Sequence, residues 1–547
     1  MSSRTTTTLS TVQLGVYPTG VDMAFKNELT YMNAITRNEA EDFHSSYERA
    51  MEDVLEELRR PEVHPNIVGG QSTPDRQTFA KVSPSDREMV LGHFQLGSKR
   101  DVDQAVKAAQ QAFISWSDQD YVERVEIFER AAKLFEMEKY HLAAALTLDN
   151  GKNRYESIAD IDEAIDFMKF YANQMRLNDG FEVLLPPAYQ NERAISYQRP
   201  YGVWSVICPF NFPVAISVGM ATAAMITGNT TVLKPSSTAP FALYKAFKLL
   251  EEAGLPDGVA NFMAGTGKEV GAAMTSHPEV QGIVFTGSKE VGFEIMRHSI
   301  RDHPIPVIAE MGSKNPVIVT EKANIDDALD GVIASAFGYG GQKCSACARL
   351  YIQRSIKQSF EDLLVKRVKL LKVRDPMDLE CHFGPIIEAS KVKDYLSYIA
   401  QGKKDGKLLV GGKRITTGDM KRGNFVEPAI ISGLPHEHQL VRKELFMPIL
   451  VTQPFDRLTE AMEKANSSAY GLTAGIFSED PEEVEHFFRH IQSGVVYSNR
   501  RKGACTGAMV GAQAFTGWKA SGSTGKGTGG GYYLQQFMRE QTRTVAW

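Results

Sequence analysis

Cysteine is scarce in this chain: there are five in 547 residues, an odd number scattered at Cys208, Cys344, Cys347, Cys381 and Cys505. That usage argues against a disulfide framework and for a reducing compartment. An excess of charge of one sign is missing too. The net charge is -5 and the sequence pI about 6.2, so nothing favours a nucleic acid or an anionic membrane as partner. No apolar run is long enough to span a bilayer. The best candidate, residues 213–227, is short and is broken by Ser217, Gly219 and Thr222, which suit a packed internal helix. The first ten residues lack the apolar core of a secretory signal. They are hydroxyl-rich and free of acid, a faint likeness to an organelle transit peptide, and read as a frayed terminus. The expected location is the cytoplasm, or the mitochondrial matrix if the source is eukaryotic. Internal repeats and low-complexity linkers are also lacking.

What is present is an ordinary globular composition, 43% apolar and 23% charged. The length implies about two to four domains. Residues 37–60 carry apolar side chains at helical spacing, from Phe43 and Tyr47 to Met51 and Leu58. A turn-rich, partly extended stretch follows to about residue 98. Helices are predicted over 101–116, 120–136 and 156–175. Residues 181–200 read as two strands about a polar turn, a candidate oligomer contact. From residue 202 strands and helices alternate, with helices predicted over 213–227, 239–253, 269–275 and 290–298. Repeated βα units imply a parallel sheet covered by helices, with ligands at the carboxyl ends of the strands. A second α/β series runs from 311 to 500 and includes a helix over 357–372, capped near Ser355. The tail beyond 501 is rich in Gly and Thr; Tyr532-Tyr-Leu and Thr544-Val-Ala-Trp look like a docked edge strand.

Residues 334–350 organise the rest. Gly338, Gly340 and Gly341 open the backbone just before Cys344. A cysteine on such a loop has the access, and the nearby N–H donors, that a thiol nucleophile needs. The bland alternative is a small buried hydrophobe. Other motifs mislead. Gly265-Thr-Gly267-Lys-Glu-Val-Gly271 is one residue too long for a dinucleotide fingerprint, and the tail around Gly525-Lys526 lacks the first glycine and the hydroxyl of a phosphate loop. Cys344-x-x-Cys347 has no second pair to complete a zinc site, and His436-Glu-His438 reads as solvated, so no metal is expected.

Four features converge at strand ends. Phe210-Asn211-Phe212-Pro213 closes one strand and opens a helix, which places the Asn211 amide where it can donate to an oxyanion or simply cap the helix. Lys234 closes the next strand, where it can meet ribose hydroxyls or phosphate. Phe285-Thr-Gly287-Ser288 precedes a helix, a natural pyrophosphate position. Glu310, between an apolar strand and a glycine, has the setting of a general base with a raised pKa. It stands 34 residues before Cys344.

Taken in order, these motifs resemble the aldehyde dehydrogenase superfamily, from about residue 30 to the C-terminus. The resemblance implies a Rossmann-type NAD-binding domain (residues 31–180 and 201–309) behind a tail of residues 1–30. It also implies an α/β catalytic domain (310–500) and an oligomerisation element built from the hairpin 181–200 and the tail 501–547. It implies NAD(P)-dependent oxidation of a small-molecule aldehyde through a covalent thiohemiacetal. Cys344 is then the nucleophile, Asn211 the oxyanion donor and Glu310 the base. Lys234, Pro209, Gly287, Ser288, Glu444 and Phe446 are cofactor-binding. Ser237 stands where many NAD-preferring members carry an acid, so NADP stays open beside NAD. A homo-oligomer is expected by the same analogy.

Phe337-Gly-Tyr-Gly-Gly-Gln-Lys-Cys-Ser-Ala-Cys-Ala-Arg resembles the 1-pyrroline-5-carboxylate dehydrogenase branch, which oxidises L-glutamate γ-semialdehyde to L-glutamate in proline catabolism. That likeness implies a substrate carboxylate held by Ser345, Gly507 and Ala508, an aliphatic stem between Phe212 and Phe515, and Glu163 near the active site. Another small semialdehyde remains the alternative substrate. A thiol hydrolase without nicotinamide and a non-catalytic protein are the competing classes. No histidine partner for Cys344 is evident, which counts against the hydrolase.

Overall fold

The computed structural model describes residues 34–35, 38–74, 76–300, 302–501 and 509–547. Two seven-stranded sheets carry it. The first runs, in spatial order, 307–310, 280–286, 203–207, 230–234, 260–262, 67–68 and 71–72. Its first five strands are parallel; the last two are antiparallel additions at the edge. From strand Val203–Ile207 the chain builds outward one way through 230–234 and 260–262. It then returns to place Val280–Thr286 and Val307–Glu310 on the other side. The order therefore reverses between Val203–Ile207 and Val280–Thr286, and a crevice opens beyond their carboxyl ends. The second sheet runs 407–410, 429–432, 449–455, 347–353, 315–319, 473–477 and 495–498, parallel except for its first strand. Met311–Lys314 links the two, from Glu310 at the end of the first sheet to Asn315 at the start of a strand in the second.

Both sheets bury continuous apolar strands, such as residues 283–285 in the first and 317–319 in the second, as parallel sheets covered on both faces require. Helices Lys99–Asp118 and Ala215–Ile226 pack on the first sheet. The former opens with a reciprocal cap between Ser98 and Asp101. Ser288 caps helix Lys289–His298.

Several predicted boundaries shift. The helix predicted over 213–227 begins only at Ala215, so Asn211 lies in the turn before it and is not its cap. The helix predicted to 372 ends at Val368, and Ser355 does not cap it but donates to Glu321 Oε2. The stretch predicted as a helix over 269–275 is a wide turn, Gly267–Gly271, followed by a short helix, Ala272–Ser276. Helix Lys139–Asn150 escapes the sequence reading because Leu142–Asn150 is buried on every side, which leaves no polar face to reveal a period.

The hairpin is Glu182–Leu185 with Glu192–Pro200, and the tail strand Met538–Ala546 pairs along the whole length of the latter. Tyr532-Tyr-Leu, read as part of that strand, precedes it; Leu534–Phe537 forms a single tight turn. Among the described residues no helix is long and apolar enough to cross a membrane.

Candidate active site

The crevice of the first sheet meets the start of the second in one cavity of about 410 Å³. It is lined by Cys344, Ser345, Asn211, Phe212, Glu310, Glu163 and Phe515, and, further along, by Pro209, Gly287, Ser288, Glu444 and Phe446. Lys234 stands apart. It is buried beside the cavity, its Nζ donates to Pro235 O at 3.0 Å, and burial lowers its pKa to about 8. Ser236 of the same turn does reach the cavity, while the Ser237 hydroxyl donates to Gly265 O at 2.9 Å. Gly507 and Ala508 lie outside the described residues.

Local backbone places the cysteine. Tyr339, Gly340 and Gly341 have φ of 48°, 59° and 69°, a left-handed run that turns the chain out of helix Ile325–Phe337. A Cβ on Gly341 would stand 2.7 Å from Met447 O, so only glycine fits there. Tyr339 pays for its φ with a fully buried ring whose hydroxyl donates to Asn150 O at 2.8 Å. Below the loop, Asn315 Nδ2 donates to Cys344 O and Ala346 O at 2.7 and 3.0 Å, and Ser313 Oγ also donates to Cys344 O.

Burial, together with the carboxylates of Glu444, Glu310 and Glu163, pushes the Cys344 thiol well above its usual pKa. It rests as a neutral thiol, so its proton must leave as it attacks.

Glu310 is held at the sheet edge. Thr286 lies beside it in register, and Gly287 N donates to Glu310 O at 3.1 Å. From the other side the tail clasps the same strand: Ser523 Oγ accepts from Ala309 N and Met311 N donates to Ser521 O, each at 2.8 Å. Burial raises the Glu310 carboxyl well above the carboxylate range, opposed only by the Gly517 N–H. Its Oε2 has no hydrogen-bond partner among the described residues. Once ionised, a carboxylate so placed takes a proton from a water or thiol in the cavity more readily than a solvated one.

Glu444 accepts from Ser313 N at 2.7 Å, and its pKa is raised to about 7, chiefly by burial. Phe446 adopts φ 58°, unusual for an aromatic residue, and packs edge-on to Phe210 with ring centres 5.7 Å apart. The Glu444 carboxylate, the buried Lys234 and a helix N-terminus at the switch point form a donor and acceptor set that fits a dinucleotide.

Asn315, Thr528 and Tyr533 went unrecognised in the sequence. Thr528 and Tyr533 line the cavity from the tail, and no local pattern announces them. Phe167 was discoverable: it follows Glu163 by one helical turn on helix Arg154–Leu177, and both reach the cavity.

A model of the aldehyde dehydrogenase family matches residues 71–543. A 1-pyrroline-5-carboxylate dehydrogenase of Geobacillus sp. (strain WCH70) is 36% identical over 507 residues, 92% of this chain and 96% of that protein. Among solved structures, 1-pyrroline-5-carboxylate dehydrogenase from Thermus with bound NAD is 35% identical at a TM-score of 0.88, covering 92% of this chain and 96% of that one. Proline utilization A (PutA) from Bdellovibrio bacteriovorus, inactivated by N-propargylglycine, is 33% identical at a TM-score of 0.87. There the match covers 92% of this chain and 52% of the other, so this chain spans about half its length. With matches of this extent, the chain belongs to the aldehyde dehydrogenase family.

Proposed function

We propose that the protein oxidises L-glutamate γ-semialdehyde, the hydrated open form of 1-pyrroline-5-carboxylate, to L-glutamate with NAD as acceptor. The observation that carries this reading is the single cavity shared by Cys344, Asn211 and Glu310 with Glu163, Phe212, Phe515 and Ser345. It combines a thiol, an amide donor and a base with apolar walls and polar ends, which suits a short zwitterion with an aliphatic middle.

Each step uses a group on that wall. Cys344 Sγ bonds to the aldehyde carbon as its proton passes to a base, with Glu310 the group available. The Asn211 amide donates to the oxygen that becomes negative. When bound, the nicotinamide supplies the hydride acceptor that turns the thiohemiacetal into a thioester. Glu310 then takes a proton from water as the water oxygen attacks the thioester carbon. The C–S bond breaks, Cys344 regains a proton, and the acid leaves. Glu163 faces the substrate's ammonium, Ser345 its α-carboxylate, and Phe212 and Phe515 its stem. Glu444 holds the nicotinamide ribose beside Phe446 and Pro209. Lys234 holds the adenosine ribose, and Gly287 with Ser288 the pyrophosphate. Ser237 offers no carboxylate to repel a 2′-phosphate, so NADP belongs in the same assay.

The domain reading goes with this: residues 31–180 and 201–309 bind the cofactor and 310–500 carry the cysteine. The hairpin sheet joins copies of the chain, and it exposes Val183, Leu184, Val545 and Trp547. The protein acts in the cytoplasm, or in the mitochondrial matrix if its source is eukaryotic.

The test is reduction of NAD by purified protein with L-glutamate γ-semialdehyde, succinic semialdehyde and propanal in parallel. The reading expects a large preference in kcat/KM for the glutamate compound and loss of all three activities in Cys344→Ala. Equal kcat/KM values would remove the substrate assignment, and activity in Cys344→Ala would remove the mechanism.

A further inference from the structure

Lys152 and Asp160 form an ion pair at 2.7 Å, and both are fully buried. The reaction outlined above does not use them. Two ions in the interior are costly unless each is fully engaged, and what engages them here is the wall of the active site. Lys152 Nζ sits 3.4 Å from the centre of the Phe212 ring and 5.2 Å from that of Tyr339. Asp160 uses its other oxygen to accept from Ala215 N at 2.6 Å, the first residue of the helix that follows the Asn211 turn. The neighbouring turn continues the grip. Asn150 Oδ1 accepts from Lys152 N at 3.2 Å, Asn150 Nδ2 donates to Phe210 O at 3.4 Å, and Asn150 O accepts from Tyr339 OH. Residues 150–152 and 160 thus touch both loops: the one that carries Asn211 and the one that carries Cys344. Asp160 lies one helical turn before Glu163, so a single helix supplies this support and a side chain to the cavity.

We propose that the Lys152–Asp160 pair is a positioning device that holds Phe212 and the adjacent Asn211 in register with Cys344. It acts through the back face of the Phe212 ring and through Ala215 N, and neither residue touches substrate. A cation on an aromatic face fixes the plane of the ring, and Asn211 is its immediate neighbour in the chain. A displaced oxyanion donor slows the chemical step without weakening cofactor binding. This rests on the role proposed for Asn211.

Removing one charge alone leaves its partner buried and unpaired, which endangers folding. The working variant is therefore the neutral pair Lys152→Met with Asp160→Asn, in which the asparagine oxygen still accepts from Ala215 N. Expected are a kcat at least tenfold lower, with propanal as well as the semialdehyde, and NAD affinity and iodoacetamide alkylation of Cys344 within twofold of the parent. Phe212→Leu, which keeps both charges, serves as the second variant. It too lowers kcat with propanal, and on that background the effect of the neutral pair shrinks to within twofold. A kcat for the neutral pair within twofold of the parent overturns the proposal. So does a full propanal kcat in Phe212→Leu, whether or not the neutral pair folds, or losses that simply multiply. Failure of the enzymatic reading itself shows separately, as activity that survives Cys344→Ala.

Discussion

Asn315 suspends the nucleophile loop from the second sheet: its Nδ2 donates to Cys344 O at 2.7 Å and to Ala346 O at 3.0 Å, while its Oδ1 accepts from Thr473 N at 3.0 Å. Its Nδ2 also donates to Ser313 Oγ at 2.9 Å, and Asn315 is not among the residues that line the cavity. Asn315→Ala removes three hydrogen bonds to backbone, of which only the one to Cys344 O is backed up, by Ser313 Oγ, at about 1–3 kcal/mol for a buried group left unsatisfied. The expected result is a lower Tm and a kcat reduced by about 10²-fold, since a shift of about 1 Å at a nucleophile has that effect. Thermal unfolding and steady-state assays check both. An unchanged kcat would mean that the glycine turn and Ser313 Oγ suffice to place Cys344.

Glu310 gives a kinetic prediction. Its carboxyl must be ionised to accept a proton, and burial raises its pKa well above 4.5. The kcat–pH profile should therefore rise along an acid limb displaced above the ordinary carboxylate range. In Glu310→Gln that limb disappears and kcat falls by about 10²–10⁴-fold. If water activation is its main task, stopped-flow assays of this variant will still show a first burst of NADH followed by slow turnover. Absence of the burst would show that the thiol's proton passes only to Glu310, and a burst that another base can take it.

The reach of the sequence follows from locality. Glu310, Asn211 and Ser288 were legible because each stands where a strand ends and a glycine, a proline or a helix begins, and Cys344 because a run of glycines separates it from the helix before it; those junctions are punctuated in the chain. They converge because the parallel strands of the first sheet align their carboxyl ends and Met311–Lys314 carries the chain straight into the second. Asn315, Thr528 and Tyr533 were illegible because their partners lie far away in sequence. Asn315 reaches Cys344 across 29 residues, and Tyr171 OH meets Thr528 Oγ1 across 357. Boundaries failed where burial erased the pattern, as in Leu142–Asn150, or where a turn replaced an expected first helical turn, as at Pro213.

Glu444 links cofactor binding to stability. Its folded pKa, about 7, lies above the unfolded value near 4.5. The native state therefore binds this proton more tightly, and the resulting stability is full below about pH 4.5 and lost as pH rises through 7. Glu444→Gln keeps the acceptor for Ser313 N and removes the buried charge. The variant's Tm should exceed the parent's at pH 8 and match it at pH 5, while its KM for NAD rises. Differential scanning calorimetry at the two pH values tests the sign: a Tm gain at pH 5 and none at pH 8 would be the opposite result and would refute burial as the cause.

Gly312 offers a way to move that carboxylate without removing it. A Cβ built there would lie 2.2 Å from Glu444 Oε2, an overlap that one of the two must relieve. The backbone at Gly312 is anchored, since its carbonyl accepts from Ser521 Oγ at 2.7 Å. The carboxylate is the end of a flexible side chain, so it is the partner that yields. Gly312 is not among the glycines with positive φ, so alanine brings no backbone strain of its own. Gly312→Ala should therefore fold, with a Tm lowered by no more than the loss of the Ser313 N to Glu444 hydrogen bond, and leave Cys344 alkylation unchanged. Its KM for NAD should rise about tenfold, the loss expected when one charge-assisted hydrogen bond of about 1.5 kcal/mol is removed. A rise in the aldehyde KM with NAD binding intact would instead place Glu444 on the substrate side of the cavity.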